Sequence, residues 1–177
     1  MKLEVITPPV EEPVDLDEAK RFARLFLDLD DDDELVMGLI QAAREVLEAK
    51  LARRFVEATL QETRVIPPDG RIKLLRAPVA EIISVEVDGE PLTLPLQIDG
   101  EATIEVGSPG KQVVVVYKSG YGPTSNQVPE AAKTVIKMLV AHWYGKRTPT
   151  TRDAQNSVPI HIDALCDSLR WGGEIPR

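Results

Sequence analysis

The chain has 177 residues, 43% of them hydrophobic, and carries 29 Asp and Glu against 21 Lys and Arg for a formal charge of -8. That length and apolar share suit one core-bearing domain, or a small domain with an insertion, and argue against two independent domains. The acidic balance, with no basic stripe, argues against a protein that draws nucleic-acid affinity from clustered Lys and Arg. The longest aliphatic run, Val113 to Val116, falls far short of the roughly 20 residues of a membrane-spanning helix. Residues 1–9 have neither the apolar stretch nor the small-residue cleavage site of a secretion signal, so synthesis and initial folding in the cytoplasm are expected.

After a proline-rich lead (Pro8, Pro9, Pro13), Asp15 followed by Glu18 reads as a capping-box-like helix start with an Asp cap. Leu16, Ala19, Ala23, Phe26 and Leu27 then recur at helical spacing and predict a first helix with one buried side. The run Asp30–Glu34 fits a turn and the start of a second helix, where the positive end of the helix dipole favours carboxylates. Calcium is the sharper alternative for such a run, but the central Gly and distal Glu of an EF-hand loop are missing. From Glu34 to Arg54 the series Val36, Ile40, Ala43, Leu47 and Leu51, backed by Leu35, Leu39 and Val46, predicts a long helix. Its apolar face is broad enough to meet the first helix and, in part, another subunit.

Beyond residue 58, β-branched residues and short alternations replace the helical period, and about five or six short strands are expected. They read as Thr59–Ile66, Arg71–Leu75, a run in which Ile83, Val85 and Val87 alternate up to Asp88-Gly89, then Leu92 to Ile98, Thr103–Val106 and Gln112–Lys118. Asp-Gly between two such runs is a strong hairpin signal. Residues 119–127 form a loop, and Pro129 stands where a third helix begins. Ala132, Val135, Ile136, Leu139, Val140 and Trp143 lie on one face of that helix, which is expected to end near residue 146 at Gly145 and Lys146. A polar segment over 148–158 leads to a short last helix over 162–169 and an Arg170-Trp171-Gly172-Gly173 tail. The fold class is therefore α+β, divided as 1–57 (helical), 58–122 (β-rich), 123–147 (core helix) and 148–177 (loop, short helix and tail).

Catalytic constellations are missing from this pattern. There is no G-x-S-x-G elbow, and the serines sit mostly in turns. Cys166, the single cysteine, lies at helical spacing with Ile162, Leu165 and Leu169 and reads as a buried small hydrophobe rather than a thiol with a base beside it. His142 and His161 with Cys166 do not make a closed zinc site, and His142 at the edge of an apolar helix face reads as a hydrogen-bonded core-edge residue. Gly120-Tyr121-Gly122 is too short for a phosphate loop and is followed by Pro123. No catalytic, metal-binding or cofactor-binding residue is assigned, no cofactor is called for, and a binding or building role is favoured over an enzyme.

The order of features carries more than any one of them. Leu16, Glu18, Ala19 and Lys20 in the first helix come first, followed by Leu39, Ile40, Ala42, Ala43 and Arg44 in the second. Tyr117, Gly120, Tyr121 and Gly122, then Val128-Pro129, then His142, Trp143, Tyr144 and Arg147 follow, and Pro159, Ala164, Leu165, Arg170 and Trp171 close the series. In that order the chain resembles the head-tail connector, or neck adaptor, family of tailed phages and phage-like particles, in its longer members with a β-rich insertion. The resemblance implies a helical core carrying the insertion, and copies assembled as a homomeric ring, a dodecamer, in the virion neck. It further implies portal protein on one side, head-closure (stopper) protein on the other, genome DNA passing through the lumen without specific binding, and no membrane. Leu165, Leu169, Arg170 and Trp171 are the residues expected to dock on the portal; Trp beside Arg is also what interface hot spots favour. An acidic lumen would let DNA slide during packaging and ejection. The rival readings are another virion part, such as a tail-completion protein, and a hydrolase with its site in the β-rich portion.

Overall fold

A computed structural model describes residues 1–27, 30–92, 98–99, 102–145 and 165–167. Two compact units divide the chain: Met1–Glu11 with Ala52–Gln127, and Glu12–Leu51 with Val128–Arg177.

The first unit is built of antiparallel strands: β1 (Lys2–Thr7), β2 (Ala58–Val65), β3 (Arg71–Lys73), β4 (Val79–Val87), β5 (Glu90–Pro91), β6 (Ile98–Asp99), β7 (Thr103–Glu105) and β8 (Gln112–Ser119). They form a five-stranded sheet ordered β1-β2-β8-β4-β5 and a three-stranded sheet ordered β3-β7-β6. Period-two alternation explains the faces: Ala58, Leu60 and Glu62 of β2 and Val113, Val115, Tyr117 and Ser119 of β8 point inward, while Thr59, Gln61, Val114 and Val116 point the other way. Ile72 of β3 and Ile104 of β7 join Ala58, Leu60, Val113, Val115 and Tyr117 with Val85 and Val87 in one cluster, so both sheets close over a single core. At Asp88-Gly89 both residues have positive φ (52° and 85°) between the paired Val87 and Glu90, the two-residue turn the dipeptide predicts.

Two features of this unit depart from the pattern reading. Residues 2–7, ahead of the prolines, form β1, which pairs with β2 from Lys2↔Thr63 onward. In β4 the register shifts between Ile82 and Ser84, so that Ile82 packs on the core and Ile83, expected to alternate with Val85 and Val87, is turned out and 49% exposed.

The second unit packs three helices against one another: α1 (Leu16–Phe22), α2 (Asp33–Leu51) and α3 (Glu130–Gly145). Asp15 caps α1, its Oδ1 accepting the Glu18 amide at 2.7 Å. The helix stops earlier than its apolar period suggests. Arg24 takes the left-handed conformation (φ 59°), while the amides of Leu25 and Arg24 donate to the carbonyls of Lys20 and Arg21 in a Schellman motif. Phe26 and Leu27 consequently lie beyond the helix and are exposed. Val36, Ile40, Ala43, Leu47 and Leu51 of α2 and Ala132, Val135, Ile136, Leu139 and Val140 of α3 are buried, as their spacing requires. Of the expected last helix, residues 165–167 are described and are helical.

Candidate functional site

An enzyme tunes its buried charges, whereas a structural protein ties them down. In the β unit, Glu62 points into the core and is fully buried. Its Oε2 accepts the Leu75 amide at 2.9 Å and the Tyr117 hydroxyl at 3.4 Å, and its Oε1 accepts Arg64 Nη1 at 3.1 Å. The same Arg64 nitrogen donates to the Lys73 carbonyl at 3.0 Å. Burial, reinforced by the Glu62 charge, raises the Tyr117 hydroxyl well above the ordinary tyrosine range, so it stays protonated and serves as a donor. Three donors from three segments hold this carboxylate, and none of its surface meets solvent. It joins β2 to β8 and to the chain after β3, and cannot act as one of a hydrolase's two accessible carboxylates.

The helical unit disposes of its charges similarly. The acidic run supplies Asp33, which accepts from the buried Lys20 Nζ at 2.5 Å, and Asp32, which accepts from the Tyr144 hydroxyl of α3. The hydrogen bond to Asp33 raises Lys20 above the ordinary lysine range. Arg44, buried on α2, donates through Nε to Glu12 at 2.7 Å and through Nη1 to Glu48 at 3.2 Å. Glu18, expected to complete a capping box, instead accepts from Lys137 of α3 at 2.5 Å. Ion pairs therefore clamp α1, α2, α3 and residue 12 to one another. Among the described residues no group of three or more His, Cys, Asp or Glu could hold a metal ion, and no helix is long and apolar enough to cross a membrane.

Several of the described residues that carried the resemblance have architectural places. Gly120, at φ 145°, passes so close to the start of β2 that a Cβ would lie 2.6 Å from Glu57 Cα. Around it, the Tyr121 amide donates to the Phe55 carbonyl, the Glu57 amide donates to the Gly122 carbonyl at 2.8 Å, and Arg53 Nη1 donates to the Tyr121 hydroxyl at 3.1 Å. Val128 and Arg44 are buried, and His142 and Trp143 are half-buried on α3. Of the residues expected to dock on a partner, Leu165 is half-buried beside the fully buried Cys166. Leu169, Arg170 and Trp171, like His161, lie outside the described residues.

Several large apolar side chains stand exposed on the described surface. Phe22, Phe26 (78% exposed), Leu27, Leu35, Met37 and Val46 are exposed in the helical unit, and Val5, Ile6, Val10, Val65 and Ile83 in the β unit. Sequence periodicity places Leu35 and Val46 on the broad face of α2 but does not separate its buried part from its open part.

An antiparallel two-sheet unit and a three-helix unit, each with ion pairs inside it, define an α+β protein. Solved structures share this fold over nearly the whole chain. A chain in the virion of a native gene transfer agent particle superposes with a TM-score of 0.80 at 18% identity, covering 96% of this chain and 95% of that one. A chain in the neck of an empty gene transfer agent particle, computed with C6 symmetry, gives 0.78 at 21% identity with the same coverage of both chains. One in the neck of the native particle, computed with C12 symmetry, gives 0.71 at 16% identity, again covering 96% and 95%. No family model matches the sequence, and no curated protein does.

Proposed function

We propose that this chain is a structural, non-enzymatic adaptor of the neck of a tailed phage or phage-like particle. In this reading its copies form a homomeric ring between the portal protein and the head-closure (stopper) protein, and genome DNA passes through the lumen. The observation that carries the reading is the fold likeness to chains from gene transfer agent necks across 96% of the sequence. The C6 and C12 symmetry of those necks supports a ring, since a closed ring repeats one contact around its axis. Charge supports passage of DNA, because a formal -8 per copy repels phosphates. The internal use of Glu62, Asp32, Asp33 and Glu48 supports a building block over a hydrolase.

Within the ring, Leu165, Leu169, Arg170 and Trp171 are the portal contact. The test is capture of the full chain, and of a version ending before Pro159, on the matching immobilised portal protein. The full chain should bind and the shortened one should not. Equal binding would refute the portal contact, and failure of both to bind, or to enter particles, would refute the adaptor reading.

A further inference from the structure

The helical unit carries a surface that its own core leaves uncovered, and its assignment rests on the ring reading above. Two apolar stripes run side by side along α2. Val36, Ile40, Ala43, Leu47 and Leu51 form the buried one. Leu35, Leu39, Ala42, Val46 and Ala49 form the other, set about a third of a turn away at 3.6 residues per turn. All five are exposed or half-buried, with Val46 at 48%. Gly38 lies along the same strip with nothing within 4 Å of the place its Cβ would occupy. From Leu35 to Ala49 the strip runs about 21 Å at 1.5 Å per residue, and no charged side chain interrupts it.

Its composition selects among occupants. Copies that each carry -8 repel one another, so contact between them is best made where no charge has to be stripped of water. A partner of different sequence has no such constraint and can meet the acidic surface with basic residues. Gly38, Ala42 and Ala49 also keep the strip low, which allows a neighbouring element to approach closely. An open apolar strip on each subunit would be an aggregation hazard, and a closed ring, which repeats one contact around its axis, can cover it in every copy. We propose that the strip Leu35, Leu39, Ala42, Val46 and Ala49 is the lateral contact by which one copy of this chain packs on the next in the ring.

The test uses two exposed apolar residues on different sides of one helix: Val46, on the strip, and Met37, 51% exposed and off it. Sedimentation velocity of the full chain with its portal protein reads the ring, and circular dichroism reads folding. Val46→Glu should fold as the parent does and fail to form rings, whereas Met37→Glu should form them. A photo-crosslinking residue at position 46, in the otherwise native chain, should give an adduct of two 19.5 kDa copies, which keeps the proposal testable if Val46→Glu does not fold. Rings built by folded Val46→Glu, or an adduct only to portal or stopper, would overturn the contact while leaving the ring intact. Failure of the parent chain itself to form any ring would remove the ring reading and this contact together.

Discussion

Removing the Arg64 side chain isolates what the Glu62 cluster contributes. In Arg64→Met the fully buried carboxylate keeps the Leu75 amide at 2.9 Å and the long Tyr117 hydroxyl contact at 3.4 Å, but loses its cation. Breaking a buried pair this way costs about 3–5 kcal/mol when both partners are inaccessible. The Arg64 side chain is 22% exposed, which brings the expected loss to about 2–4 kcal/mol. Glu62→Gln keeps an acceptor for Leu75 and abolishes the charge, so it should cost only about 1–2 kcal/mol. With the charge gone, Arg64→Met adds little, and the double variant should fall near Glu62→Gln alone, a coupling of about 2–4 kcal/mol, equal to the Arg64→Met loss itself. Urea unfolding followed by far-ultraviolet circular dichroism measures all three against the parent. Losses that simply add would refute the argument, because additivity would mean that Arg64 does not neutralise Glu62.

Two further substitutions probe the same unit. Gly120→Ala forces a Cβ to within 2.6 Å of Glu57 Cα at a φ of 145°; we expect a loss of more than about 2 kcal/mol, checked by thermal melting, and a melt within a degree of the parent would contradict the close approach. Tyr117 gives the alkaline limit: its folded hydroxyl is held above the unfolded value of 10.0, so its contribution is whole below that pH and declines as the unfolded state ionises above it. Tyr117→Phe should therefore be less stable than the parent at neutral pH, yet lose less between pH 9 and pH 11 on the roughly one-unit scale over which a phenol titrates; parallel declines would argue against a buried neutral phenol.

Local signals were readable where neighbours in sequence decide the outcome. Asp15 as a cap, Asp88-Gly89 as a turn and the buried series of α2 and α3 all follow from spacing and intrinsic chemistry. Long-range partners decided the rest. Residues 2–7 become a strand because β2, more than fifty residues later, supplies the edge they pair with. Ile83 faces out because pairing with β8 shifts register at Ile82, which leaves no mark in the alternation itself. Glu62 occupies a core position because Tyr117, 55 residues away, and Arg64 satisfy it. Phe26 and Leu27 keep the helical period of α1 yet fall past its end, since a left-handed Arg24 is a backbone choice that periodicity does not encode. The order of degenerate motifs, from Leu16 to Trp171, pointed to an architecture that no single motif specified, whereas three of the four proposed portal-docking residues lie outside the described structure.

The carboxylates of the acidic surplus do different work. Glu12, Glu18, Asp32, Asp33, Glu48 and Glu62 are tied to partners inside their own units and are not free to repel DNA. On the β4–β5 hairpin, by contrast, Asp88 lies 3.7 Å from Lys111, while Glu86 and Glu90 are exposed and make no ion pair with any described residue. If passage of DNA depends on surface charge, exposed and unpaired carboxylates of this kind are the ones that act, because neutralised pairs project little field. Glu86→Lys with Glu90→Lys should leave folding unchanged, since neither side chain packs on the core, and should slow DNA release from particles or leave DNA bound in the neck. Bound DNA should come off as salt is raised, because each new phosphate contact contributes to a steep salt dependence. Release at the parent rate in low salt would remove the hairpin from the DNA path and leave that role to the remaining exposed carboxylates, Glu11 and Glu34 among them.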